Sequence, residues 1–156
     1  MAVNYQVFSV SHTHPGVKRG NNEDYSAFFE PANPRELEQS GRLYLLADGV
    51  GGASLGEKAS RHAVEKGLYE YYQHPELDPG DRLRALYQKA NKEIFYYAET
   101  NDIRMATTMV AAVILHDRLM IANVGDSRAY LIRSGKAQQL SEDHTETAEM
   151  LSLIHI

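Results

Sequence analysis

Apolar residues are grouped along this chain in short runs, which polar, glycine-rich or proline-containing segments separate. The first part of the chain predicts three strands, at Val3–Val10, Tyr25–Glu30 and Leu43–Ala47. The third is five consecutive apolar residues, which is typical of a strand buried on both faces. Pro31–Gly41 is polar and contains two prolines, so we expect it to form a hairpin loop before the third strand.

Two amphipathic helices are predicted next. The first runs from Ser54 to about Tyr72, and Ser54 with Glu57 forms a capping box that marks its start. A break that contains two prolines separates it from the second helix, which runs from about Asp81 to Glu99. The residues expected on the apolar faces are Leu55, Ala59, Ala63, Gly67, Leu68 and Tyr71 in the first helix and Leu83, Leu86, Tyr87, Ala90, Ile94 and Tyr97 in the second.

The last part of the chain predicts a β-meander. Its β-prone segments are Thr107–Leu115, Leu119–Val124, Ser127–Arg133 and Lys136–Leu140, with tight turns between them. Strands, then a helix pair, then strands again is the pattern of an α+β fold with antiparallel sheets.

The amino-acid composition excludes several classes of function. The 156 residues, 43% apolar and 24% charged, fit one globular domain. A net charge of −5 without basic clusters argues against a nucleic-acid or membrane partner. The absence of cysteine excludes disulfides, cysteine zinc sites and cysteine nucleophiles. The chain shows no signal-peptide pattern, so we expect a cytoplasmic protein.

Asp48 is the first candidate for chemistry. It ends the apolar strand and is followed by three glycines within four residues. A carboxylate at the end of a buried strand requires a cation, an arginine or several hydrogen-bond donors. Glycines let the backbone approach a ligand closely. For this stretch alone, an ordinary strand-to-helix turn is an equal alternative.

Further charged clusters lie at other predicted strand ends, at 19–24, 125–128 and 142–144. Hard oxygen ligands with few histidines favour Mg²⁺ or Mn²⁺ over zinc. A nearby arginine would hold a phosphate group.

Five short motifs occur along the chain: Arg-x-x-Asn-Glu-Asp at 19–24, Ala-Asp-Gly-Val-Gly-Gly at 47–52, Gly-Glu-x-Ala-Ser at 56–60, Ala-Thr-Thr at 106–108 and Asn-Val-Gly-Asp-Ser-Arg at 123–128. In order and spacing, these motifs resemble those of the bacterial branch of the metal-dependent PPM/PP2C-type Ser/Thr protein phosphatases. The resemblance runs from about Val7 to Thr145. It implies the N-terminal part of a PP2C-like antiparallel β-sandwich flanked by helix pairs.

The resemblance also implies a mechanism: hydrolysis of phosphoserine and phosphothreonine on proteins by a water that two Mn²⁺ or Mg²⁺ ions bridge. Asp48 would bridge the ions, and the Gly49 carbonyl would be a ligand of one of them. Arg19 would bind the phosphate and stabilise its charge. Glu23 and Asp24 would act mainly through metal-bound waters.

Asp126 would belong to a third metal position. Its alternative is a turn residue paired with Arg128. Phosphorylated Ser/Thr proteins are the implied substrates, and a cognate Ser/Thr kinase is the implied partner.

The sequence departs from the family pattern in two places. Val50 stands where animal members have a histidine proposed to protonate the leaving group. The remaining metal aspartates of the family are absent, which predicts weak metal binding. We expect residues 1–150 to be a partial phosphatase domain. The hexapeptide 151–156 resembles a translated sequencing adapter, and we expect it to be a non-native tail.

Two other functions remain open at this point. With Arg19 and an incomplete metal set, the chain could be a non-catalytic pseudophosphatase that binds phosphorylated segments. The residues 52–56 also match the G-x-S-x-G nucleophile elbow, which would make Ser54 the nucleophile of a serine hydrolase. Against this, the predicted strand does not run straight into the motif.

Overall fold

The computed structural model describes residues 6–17, 20–51, 55–143 and 150–155. The helices in these ranges are α1 (Pro34–Ser40), α2 (Leu55–Gln73) and α3 (Pro79–Asn101). The strands are β1 (Asp24–Phe29), β2 (Arg42–Val50), β3 (Ala106–Thr107), β4 (Met109–Leu115), β5 (Arg118–Val124), β6 (Tyr130–Arg133), β7 (Lys136–Gln139) and β8 (Met150–His155). None of these three helices has the length and apolar character needed to cross a membrane.

The main sheet is antiparallel, with strand order β1-β2-β4-β5-β8, and β3 pairs with the end of β2. β2 is its central strand. On one side Asp48 of β2 lies opposite Asp24 of β1, and on the other side Leu46 lies opposite Val110 of β4. β3 and β4 keep the same register against β2 and are interrupted only at Thr108. The predicted central strand and the α+β class are confirmed.

Both long helices pack on one face of this sheet, the helix face. Leu43, Leu45 and Ala47 of β2 are buried there beneath α2 and α3. Tyr87 of α3 is buried against the same face, and its hydroxyl lies 3.1 Å from the Met109 carbonyl oxygen and 2.7 Å from that of Ala122. The two predicted helices and most of their predicted apolar faces are confirmed.

The opposite face of β2, the open face, carries Tyr44, Leu46, Asp48 and Val50. Leu46 is 46% exposed there and Val50 is 62% exposed. The expectation that this strand is buried on both faces is therefore wrong for the part of the chain that the structure describes. The open face is exposed because α2 and α3 both lie on the helix face.

The hairpin loop predicted between the second and third strands is also wrong, because Pro34–Ser40 forms α1. The Asn33 side chain accepts a hydrogen bond from the Arg35 amide at 3.0 Å, which caps the helix. Pro34 occupies the first turn, where a missing N–H costs nothing. The cap and the proline outweigh the polar composition that suggested a loop.

The strand predicted at Val3–Val10 is not formed by its described residues. Side chains, not a backbone ladder, attach this segment to the open face. The Ser9 hydroxyl donates to the Glu30 carboxylate at 2.5 Å, and the Ser11 and Ser26 hydroxyls lie 2.6 Å apart. Alternate polar side chains thus take the place of strand pairing.

The predicted β-meander is formed only in part. β4 and β5 pair in the main sheet, whereas β6 and β7 form a separate two-stranded sheet. Its turn has positive φ at Ser134 (51°) and Gly135 (73°), which matches the twist of a tight hairpin. β8 pairs with the edge of β5, so the residues expected to be a non-native tail form an edge strand up to residue 155.

Candidate metal centre

The described acidic residues of the predicted site lie at one end of the sheet. Asp48, near the end of β2, is half-buried on the open face, and Asp24 at the start of β1 is its cross-strand partner. Paired residues of neighbouring strands share a face, and like charges directly opposite one another repel. A cation near this pair would remove the repulsion. The placement therefore favours cation binding at this end of the sheet.

The backbone of Asp48 is held by two adjacent threonines. The Asp48 N–H donates to the Thr108 hydroxyl at 3.0 Å, where a regular antiparallel ladder would use the Thr108 carbonyl. The Asp48 carbonyl accepts from the Thr108 N–H and from the Thr107 hydroxyl, both at 2.9 Å. Both main-chain polar groups of Asp48 are thus bonded, which fixes the direction in which its carboxylate leaves the strand.

Gly49 lies with its backbone directly against that of Gly56 at the start of α2. A Cβ atom on Gly49 would lie 1.9 Å from the Gly56 carbonyl oxygen. A Cβ on Gly56 would lie 2.7 Å from Glu23 Oε1 and 2.8 Å from the Gly49 carbonyl oxygen. Two oxygen donors therefore line one small space that any side chain at residue 56 would fill.

Glu23 is attached to the same strand end. Its carbonyl accepts a hydrogen bond from the Gly49 N–H at 3.0 Å. Its carboxylate lies beside the first turn of α2, and the positive end of a helix dipole favours a carboxylate there. Glu23 thus lies on the α2 side of the strand end, while Asp24 and Asp48 share the open face.

Asp126 is exposed in the turn that follows β5. Gly125 precedes it with φ of 96°, and a Cβ there would lie 2.6 Å from the Thr108 methyl carbon, so this position requires glycine. On the other side of Asp126, the Ser127 hydroxyl lies 2.6 Å from the Thr108 hydroxyl. The turn that carries Asp126 therefore packs on the same threonine that bonds Asp48.

Arg128 forms its ion pair with Asp143. Its Nε lies 2.9 Å and 3.0 Å from the two carboxylate oxygens, and its Nη2 lies 2.5 Å from Oδ2. Hydrogen bonding to Asp143 raises the pKa of Arg128 above its ordinary value. The alternative account of Asp126 as the ion-pair partner of Arg128 is therefore wrong. The third-metal role of Asp126 stays a prediction.

The donors at this end of the sheet fit a hard divalent cation in kind. Asp48, Asp24 and Glu23 offer carboxylates, and Gly49 offers a carbonyl oxygen that no side chain at Gly56 obstructs. Among the described residues, however, no group of three or more Asp, Glu, His or Cys side chains converges closely enough to hold a metal ion. By themselves, the described residues would supply only part of a coordination shell.

Two residues named in the sequence analysis, Arg19 and Ser54, lie outside the described residues. Phosphate binding by Arg19, the capping box and the serine nucleophile therefore stay predictions. The structure does show that β2 continues as a strand through Gly49 and Val50. The strand thus extends past Asp48 before the G-x-S-x-G segment begins.

Sequence reasoning missed the residues that hold the site in place. No role was assigned to Thr107, Thr108 or Ser127, or to Gly56 as the contact of Gly49. The signal was present, because these residues fall in three of the matched motifs. Adjacent threonines at the end of a predicted strand are equally compatible with ordinary β-propensity. The sequence alone therefore does not distinguish a role in holding the site from simple strand formation.

Comparison with known proteins identifies the family of the chain. Residues 12–150 match the sequence model of the family described as Protein phosphatase 2C. The serine/threonine phosphatase stp of Listeria monocytogenes serovar 1/2a is 37% identical over 145 residues. That match covers 89% of this chain and 55% of the Listeria protein, so the chain spans about half the length of this curated relative.

Two crystal structures of serine/threonine phosphatases named PstP share the fold. The serine/threonine phosphatase PstP/Ppp of Mycobacterium tuberculosis matches with a TM-score of 0.74 and 26% identity, over 92% of this chain and 71% of that one. The catalytic domain of PstP in complex with two manganese ions matches with a TM-score of 0.69 and 26% identity, over 92% and 70%. On the match of residues 12–150, the chain belongs to the protein phosphatase 2C family.

Proposed function

We propose that this chain contributes the Asp48 end of a metal-dependent site that hydrolyses phosphoserine and phosphothreonine on proteins. The observation that carries the proposal is the placement of Glu23, Asp24, Asp48 and the Asp126 turn at one end of one sheet. These residues are far apart in sequence, and the strand pairing brings them together. Similarity to serine/threonine phosphatases supports the same reaction.

The residues have distinct tasks in this proposal. Asp48 and the Gly49 carbonyl would hold the core ions, with Glu23 and Asp24 orienting ligand waters and Asp126 at a third position. When bound, the ions would supply Lewis acidity toward the phosphoryl group and a nucleophilic water at neutral pH. The manganese bound by the related PstP domain makes Mn²⁺ the first ion to test, with Mg²⁺ as the alternative. Arg19 would bind the phosphate oxygens.

The test is Mn²⁺-dependent release of phosphate from a phosphothreonine peptide, comparing the chain with Asp48→Asn and with Asp117→Asn. Asp117 is an exposed aspartate in the turn between β4 and β5, so it serves as the matched control. Release that needs Mn²⁺, disappears in Asp48→Asn and persists in Asp117→Asn would support the proposal. Release that survives Asp48→Asn would contradict it.

A non-catalytic function is the second candidate. It is favoured by the lack of a converging group of three metal-binding side chains in the described ranges. Such a protein would bind the phosphorylated peptide and release no phosphate with any divalent ion. Isothermal titration with the phosphorylated and unphosphorylated peptides measures this binding, and the phosphate-release assay separates the two candidates. The expected partner in either case is a Ser/Thr kinase that acts on the same substrates.

A further inference from the structure

A chain of hydroxyl contacts joins the two acidic parts of the site across the sheet. It runs from the Asp48 N–H to the Thr108 hydroxyl at 3.0 Å and from there to the Ser127 hydroxyl at 2.6 Å. Asp48 lies on β2, Thr108 lies between β3 and β4, and Ser127 follows β5. Three neighbouring segments of the sheet are thereby connected through side chains as well as through the ladder.

The Thr108 hydroxyl has two hydrogen-bond partners, the Asp48 N–H and the Ser127 hydroxyl. A hydroxyl has one hydrogen and two acceptor lone pairs. Accepting from the Asp48 N–H and contacting Ser127 uses two of these three, so rotation of the side chain would break one contact to keep the other. Its methyl carbon is confined as well, because Gly125 packs against it so closely that a Cβ would lie 2.6 Å away. Thr108 therefore has one favourable orientation.

We propose that Thr108, through Ser127, is a positioning residue that couples the orientation of Asp48 to the turn that carries Asp126. A change at either aspartate would reach the other through this hydroxyl pair. The metal-binding consequence of this coupling rests on the proposed function. The coupling itself is a property of the chain without metal and can be measured separately.

The first test uses nuclear magnetic resonance of the 156-residue chain. The variants are Thr108→Val, which removes the hydroxyl at nearly constant volume, Thr108→Ser, which keeps it, and Ser127→Ala. The control is Ser141→Ala. The Ser141 hydroxyl accepts a hydrogen bond from the Ala129 N–H at 2.9 Å at the base of the β6–β7 hairpin, so this variant also removes one hydroxyl contact close to Ser127 in sequence. The quantities measured are the chemical shift and the hydrogen-exchange rate of the Asp48 amide.

Loss of one neutral hydrogen bond corresponds to about fivefold faster exchange of the Asp48 amide in Thr108→Val. The rate should return close to the original value in Thr108→Ser. Ser127→Ala does not touch Asp48 directly, yet it should shift the Asp48 amide, while Ser141→Ala should not. If Ser127→Ala leaves that amide unchanged, or Ser141→Ala moves it equally, the coupling is refuted.

The second test is titration with MnCl2, following paramagnetic broadening of the Asp48 and Gly49 amides. Groups that orient metal ligands change metal affinity by about tenfold or more, so Thr108→Val should raise the half-effect Mn²⁺ concentration by about tenfold. Thr108→Ser should restore it. Broadening in Thr108→Val that matches the original chain would overturn the positioning role. Absence of broadening in the original chain would instead count against the proposed metal site, with the coupling still decided by Ser127→Ala.

Discussion

The two faces of β2 differ in almost every respect, although they alternate along the same nine residues. On the helix face, Leu43, Leu45 and Ala47 are covered by α2 and α3 and form the centre of the core. On the open face, the cover is the segment before β1, which leaves a groove of about 280 Å³ lined in part by Val10, Tyr44 and Leu46. The Asp48 carboxylate is on the open face.

The difference shows how one strand separates stability from chemistry. Apolar burial on the helix face fixes the strand, while Asp48 lies half-buried on the open face near the end of it. The two faces meet at Gly49, which packs against Gly56 on the helix face and whose carbonyl oxygen would bind a core ion in the proposed site. Substitutions on the two faces should therefore have different consequences, and four experiments test this comparison.

The largest difference is expected between neighbouring leucines. Leu45→Ala removes a side chain that is only 3% exposed, and it should lower the free energy of unfolding by about 3 kcal/mol. Leu46→Ala on the open face should cost less than about 1 kcal/mol, because its side chain is already partly in water. Urea denaturation followed by circular dichroism measures both. Equal losses would mean that the open face is covered in solution.

Gly49→Ala should be the next most damaging change. The new methyl group would overlap the Gly56 carbonyl oxygen, and overpacking of this kind costs about 1–3 kcal/mol. Gly20→Ala is the matched control, because a Cβ at Gly20 has no atom within 4 Å. Denaturation midpoints of the two variants give the comparison. A Gly49→Ala variant as stable as Gly20→Ala would show that the two backbones are not in contact.

Tyr87→Phe tests the hydrogen bonds between α3 and the sheet. It deprives the Met109 and Ala122 carbonyls of a buried donor and should cost about 1–2 kcal/mol. Tyr69→Phe is the control, since Tyr69 is exposed on α2. The measurement is the shift in melting temperature of each variant. If both variants have the same melting temperature, apolar packing alone holds α3 against the sheet.

The smallest effect is expected at Glu30 on the open face. Hydrogen bonds from Ser9 and then Tyr44 lower the pKa of Glu30 below its ordinary value. A carboxyl whose pKa is lower in the folded state stabilises the protein above its unfolded pKa, and this contribution is lost as pH falls through the folded pKa. Stability should therefore fall less between neutral and acidic pH in Glu30→Gln than in the original chain.

Glu38→Gln on α1 is the control for Glu30→Gln, because Glu38 is exposed. Denaturation midpoints across the acidic range give the pH profile of each variant. Parallel profiles for the original chain and Glu30→Gln would contradict the stabilising role of these hydrogen bonds. They would also show that the hydrogen bonds of Glu30 are not the main attachment of the segment before β1.

Much of the fold could be predicted from periodicity. The spacing of Leu83, Leu86 and Ala90 gave α3, and the apolar run at Leu43 gave β2. The run does not indicate which face of β2 the helices cover, because its residues are apolar on both faces. The segment at Pro34–Ser40 was misassigned because its helix depends on one cap at Asn33 and has little apolar periodicity.

The candidate site was predictable as far as it consists of carboxylates. Asp48 and Asp24 were recognised from charge and motif, and strand pairing places them opposite one another. The residues that orient Asp48 were not, since Thr108 and Ser127 act through a hydroxyl contact between residues 19 positions apart. Contacts of that kind depend on register, which single-sequence patterns do not specify.

The contact between Gly49 and Gly56 has a mechanical consequence. No side chain stands between the two backbones, so nothing compressible can absorb a displacement of either one. α2 is 19 residues long, about 28 Å, and near its far end the Tyr71 hydroxyl donates to the Ser40 carbonyl at 2.9 Å. The helix thus acts as a spacer that fixes the distance between its contact with Gly49 at one end and its contact with Ser40 near the other.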